Sequence, residues 1–134
     1  MKTITIVSVV DVVGALTTDS LENNIYLLDN NKNGGSSELA TETLKTKVNK
    51  GDTLLWTIMP MEPESYSAIA NIEIDKAVCE PKQLTYEGSD VTYWSATIKK
   101  DFIEAPYSIH FKLGNKEHVV KPNKNSRPAL IGNK

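Results

Sequence analysis

A chain of 134 residues, 40% apolar and 24% charged, is sized and balanced for one soluble globular domain, 1–134, with its own core. A net charge of −2 excludes a basic nucleic-acid footprint over the whole chain. The single cysteine, Cys79, excludes an internal disulfide and agrees with a reducing compartment.

The start, "MKTITIVSVVDVVGAL", has the apolar look of a leader. Asp11 interrupts the run, and no small-x-small cleavage site precedes the polar "TTDS". It is also too short and interrupted to span a bilayer, so no membrane contact is expected. Ile4, Ile6, Val10 and Val12 share one parity and Thr3, Thr5 and Asp11 the other, which predicts a strand with one face on a core. A second strand is predicted in "NIYLLD".

The next stretch, "DNNKNGG" at 29–35, sets Asp29, Asn31 and Asn33 at alternate positions before Gly34, as an EF-hand loop begins. Such a loop needs a bidentate Glu at its twelfth position, which here is Ala40; Glu38 and Glu42 are each two residues out of register. Asn and Gly also tolerate positive φ, so a connecting turn is the preferred reading. A metal or sugar site at Asp29, Asn30, Asn31 and Asn33 stays open beside it.

Period-2 alternation returns in "TLKTKV", "TLLWTIM", "AIANIEID" (Ala70, Ile72 and Ile74 inward), "YWSATIKK" and "YSIHFKL". Turn signals separate these runs: "NKNGG", "NKGD", "YEGSD" and "LGNK". No long segment carries a helical stripe, and only residues 62–70 suggest a helical turn or two. The predicted fold is all-β, an antiparallel β-sandwich of about seven to nine strands with at most one or two short helical turns.

The turn "VNKGDTLLW" leading into a Trp-bearing strand is common in cupredoxin-like sandwiches. Blue copper requires two His and a Cys, yet Cys79 is followed by "EPKQLTY" with no nearby His or Met. "NGGSSE" lacks the Lys-Ser/Thr of a phosphate loop. His110 falls on the polar face of its strand, and Glu62 with Glu64, or Glu73 with Asp75, read as surface charges. Catalytic residues and cofactors are therefore expected to be absent. In "YEGSDVTYWS", Tyr86, Asp90 and Tyr93 lie near a Gly-Ser-Asp turn, and an aromatic platform beside short polar groups suits a sugar ring. Trp56 and Trp94 are assigned to the core.

Residues 112–134 carry six Lys or Arg against Glu117, a balance of +5, while the preceding residues carry −7. From about residue 122 this basic end is expected to be loosely ordered.

Taken together, "VVDVVGAL", "NIYLLDNN", "KGDTLLWTIMPMEPESYSAI", "VCEP", "YEGSDVTYWSATIKKDF" and "PYSIHFKLG" resemble the PixA/AidA inclusion-body protein family. The likeness runs in order over residues 4–113, with a weaker echo in "RPALIG". It implies a small bacterial, cytoplasmic protein, deposited in inclusions in PixA-like members and controlled by quorum sensing during host association or virulence in AidA-like ones. No family site residues carry over. With only Met1, Met59 and Met61, this chain departs from the methionine-rich character of PixA. The expectation is a non-enzymatic homo-oligomer, a dimer or larger, joined through sheet edges and opposite charges. The alternative is a lectin-like glycan-binding module, calcium-assisted through Asp29, Asn30, Asn31 and Asn33 with Tyr86, Asp90 and Tyr93.

Overall fold

The structure, a computed structural model, describes residues 1–21, 23–62, 67–89, 91–114, 116–119 and 127–133. The protein is mostly strand, as the alternation predicts. In chain order the elements are β1 (Thr3–Val10), α1 (Val12–Thr18), β2 (Ile25–Asp29), a 3-10 turn (Lys32–Gly34), β3 (Lys45–Lys47), β4 (Thr53–Pro60) and β5 (Ser67–Glu73). There follow β6 (Lys82–Thr85), β7 (Thr92–Thr97), β8 (Glu104–Pro106), β9 (Ser108–Leu113), β10 (Lys116–Val119) and β11 (Ala129–Ile131).

These strands form three sheets, ordered β2-β1-β4-β7-β6, β10-β9-β5 and β3-β11-β8. The expected antiparallel sandwich of about seven to nine strands thus differs from the eleven strands found among the described residues. The short strands β6, β8, β10 and β11 span only three or four residues, too few for alternation to reveal. Two pairings are parallel, β1 with β4 and β3 with β11. Alternation reports which side chains share a face and is silent about strand direction.

The sheets enclose one continuous core. Ile4, Ile6 and Val10 of β1 lie beside Leu54 and Trp56 of β4, with Ile25 and Leu27 of β2 on the same face. Ile109, Phe111 and Leu113 of β9 close it from another sheet. Trp56 is fully buried and meets Tyr107 edge to face at 5.8 Å. The Trp56 N–H and the Tyr107 hydroxyl are both buried at this contact, and neither makes a hydrogen bond of good geometry to the described residues. Burial pushes the Tyr107 hydroxyl well above its ordinary pKa. Trp94 is half-buried against this core and donates to the Ile69 carbonyl at 3.1 Å.

Four local expectations change. The strand predicted through Val12 stops at Val10, and Val12–Thr18 is helical. Asp11 causes the switch: its carboxylate accepts the Gly14 N–H at 2.9 Å, an N-cap that favours helix over strand. Glu62, expected to be a surface charge, accepts the N–H groups of Val12 at 2.8 Å and Val13 at 3.2 Å. The helical turn expected within 62–70 is absent over Ser67–Ala70, which belongs to β5; residues 63–66 lie outside the described residues. A bulge between Ile69 and Asn71 resets the alternation, so Ile69 is buried and Ala70 is exposed.

The C-terminal end also departs from a loose tail where it is described. Pro128, Ala129, Leu130 and Gly132 are buried, and β11 lies between β3 and β8. The apolar "ALI" gains a place in the core that the surrounding basic residues conceal in the sequence. Residues 121–126 lie outside the described residues.

If Asp11 sets the helix start, Asp11→Ala will lower unfolding stability by about 1 kcal/mol in urea titrations, whereas Asp11→Asn, which keeps a capping oxygen, will cost much less.

Candidate functional site

Asp29 ends β2 on its core side and is already engaged. One oxygen accepts the Asn31 N–H at 2.8 Å and the other the Thr46 hydroxyl at 2.8 Å. The Asn30 side-chain oxygen accepts the Thr5 N–H at 3.0 Å. Asn31 is buried; its side-chain oxygen accepts from the Lys2 ammonium at 2.5 Å, and its amide donates to the Lys47 carbonyl at 2.7 Å. Its own carbonyl accepts the N–H groups of Gly34 and Ser36, both at 3.1 Å. Asn33 is exposed in the 3-10 turn.

The loop therefore uses the side chains of Asp29, Asn30 and Asn31 to fasten itself to β1 and β3. The Lys2 ammonium occupies the side-chain oxygen that a cation would need. Among the described residues no three His, Cys, Asp or Glu side chains cluster in a way that could hold a metal. A β-carbon at Gly34 would collide with the Asn31 side chain, so the glycine answers to this packing.

The aromatic half of the predicted glycan site lies elsewhere. Tyr86 is 65% exposed beyond the end of β6, and Tyr93 is half-buried on β7. Asp90 lies outside the described residues. Because β2 and β6 are opposite edges of one sheet, four strand spacings, about 19 Å, separate Asp29 from β6. The structure does not bring the two groups together.

A different constellation forms where β5 meets β6. A groove of about 570 Å³ runs between Asn71–Ile74 and Glu80–Lys82, with Lys76 at one end. Glu73 contacts His110 Nε2 at 2.5 Å, while Glu117 lies 3.2 Å from His110 Nδ1. Both ring nitrogens thus face carboxylates supplied by the two strands flanking β9, and His110, on the polar face as expected, is a cross-strand tie. Across the groove Glu80 pairs with Lys99 at 2.8 Å, and that hydrogen-bonded ammonium holds the Glu80 carboxyl below its usual range. The sequence carried half of this signal, since alternation puts Glu73 and His110 on polar faces. Their meeting depends on the β5–β9 register, which no local pattern contains.

Cys79 and His118 lie inside the protein. The charged groups acting on the Cys79 thiol are Lys99 and Asp75, and burial, the larger influence, pushes it up to about 11. His118 is buried with its Nε2 3.4 Å from Asp19 Oδ1, outside good hydrogen-bond geometry.

Two outcomes follow for these residues. Asn31→Ala leaves the Lys47 carbonyl and Lys2 ammonium without their partner, so stability will fall by about 2 kcal/mol, equally in calcium and in chelator. A calcium-dependent difference in the wild type would show that the loop binds metal after all. Cys79 will resist alkylation at pH 8 in the folded protein and react readily in urea. Its folded pKa is raised, so the stability it contributes is complete below its unfolded value near 9 and is lost as pH rises through about 11.

Comparison with known proteins gives three findings. No curated protein matches the chain. Among solved structures, the inclusion body protein PixA from Burkholderia cenocepacia J2315 superimposes with a TM-score of 0.70 at 14% identity, covering 98% of this chain and 92% of that one. At that identity the likeness is one of fold, and it agrees with the resemblance read from the sequence motifs. A family model described as a domain of unknown function, DUF8788, matches residues 2–119. The chain belongs to the DUF8788 family.

Proposed function

We propose that this protein is a non-enzymatic, self-associating bacterial protein of the inclusion-body type, accumulated in the cytoplasm as part of a quorum-sensing-controlled programme of host association. The observation that carries this reading is the end-to-end likeness of fold to an inclusion body protein. The condition of its polar groups adds support. The acids and amides of the loop at 29–31 serve the fold, both His110 nitrogens face carboxylates, and the cysteine is buried. Dense deposition needs surfaces that join copies. The exposed apolar residues of the five-stranded sheet, Tyr26, Leu28, Met59 and Leu84, are of the kind such contacts use.

Light scattering across a salt series tests the proposal. A dimer or larger species is expected at both low and moderate salt, with dense cytoplasmic bodies when the chain accumulates in a bacterial cell. A strictly monomeric protein at high concentration under both conditions would overturn it.

A further inference from the structure

Resting on that self-association, we propose that two copies join by antiparallel pairing of β6 with the β6 of a second copy, about a two-fold axis at Leu84. All four residues of β6 are exposed, and among the described residues its only strand neighbour is β7. The Tyr86 N–H donates to the Val91 carbonyl at 2.8 Å, which makes Tyr86 and Val91 a hydrogen-bonded position of the β6–β7 hairpin. Hydrogen-bonded positions alternate in an antiparallel pair, so Leu84 and Lys82 turn their backbone groups toward β7. Gln83 and Thr85 then turn theirs outward, two N–H and two C=O groups without a strand partner.

Three other edges, those of β2, β3 and β5, carry contacts along their outer sides. Residues 40 and 41 exchange hydrogen bonds with Leu27 along the free side of β2. Ser37 exchanges two 2.9 Å bonds with Lys45 of β3, and the Trp94 indole takes the Ile69 carbonyl of β5. On β6 one lysine guards an edge otherwise made of Gln83, Leu84 and Thr85.

The strand is complementary to itself. Pairing Gln83 with the second copy's Thr85, and the reverse, satisfies all of those outward groups. Leu84 then faces its own copy across the axis as an apolar pair. Lys82 faces the second copy's Tyr86, whose exposed ring offers a face to the ammonium. By the same register the second copy's Glu87 arrives opposite Pro81, at the mouth of the groove carrying Lys76 and Lys82. Lys99 pairs with Glu80 at 2.8 Å while Lys76 and Lys82 act on it through charge alone, and an incoming carboxylate would meet that surplus of positive charge. The same contacts recur at the other end of the interface, and two five-stranded sheets become one of ten.

The register gives a sharp test in the full chain. Leu84→Cys sets two thiols at a non-hydrogen-bonded antiparallel position, with Cα atoms about 4.5 Å apart, within the span of a disulfide. Mild oxidation will convert it to a dimer on a non-reducing gel at least roughly tenfold faster than Gln83→Cys, which faces Thr85 instead. Wild type serves as the control, since buried Cys79 does not cross-link. Gln83→Pro removes an N–H that points away from β7, so it will yield monomer in light scattering with its thermal midpoint retained. A dimeric wild type with slow Leu84→Cys cross-linking, or a dimeric Gln83→Pro, overturns the edge pairing and leaves self-association standing. A monomeric wild type overturns both.

Discussion

The in-register parallel pairing of β1 with β4, Thr3 against Thr53 through Val10 against Pro60, is the constraint on which the rest of the molecule depends. Parallel neighbours need a crossover, and residues 11–52 supply it with α1, β2, the 29–36 loop and β3. The register puts Ile4 beside Leu54 and Ile6 beside Trp56 on the buried face. A slip of one residue would turn every one of these side chains to the other face. Polar groups hold the start of the pair as well: buried Asp52 accepts the N–H groups of Lys2 at 3.1 Å and Asn49 at 2.9 Å.

Much of the conspicuous polar chemistry serves this frame. The crossover must leave β1, reverse, and return to pair with β4 from the same direction. At its first corner Asp11 and Glu62 satisfy helix N–H groups that would otherwise lack partners. At its second, Asp29, Asn30 and Asn31 tie the loop to β1 and β3, and Lys2, one residue before β1, reaches back to Asn31. A buried amide bonded at both its oxygen and its nitrogen is costly to disturb.

The two edges of the five-stranded sheet differ. Residues 40 and 41 cover β2, while β6 remains open beside a charged groove. Free backbone groups give an assembly its direction, and the side chains flanking them determine which strand fits.

The sequence by itself determined the all-β character, the inward residues of β1, β4, β7 and β9, and the burial of Trp56, because alternation is a property of neighbouring residues. Motifs spread over residues 4–113 carried the likeness to the PixA/AidA family, in agreement with the fold. Only the tertiary structure decided the parallel pairings, the reset of parity at Ala70, the place of β11 between β3 and β8, and the tie between Glu73 and His110. It also supplied the partners of "DNNKNGG", whose spacing resembles a calcium loop while Lys2, Thr46 and Lys47 reach it from distant parts of the chain. Strand direction, register and partner are set by contacts between residues far apart in the chain, and no local pattern encodes them.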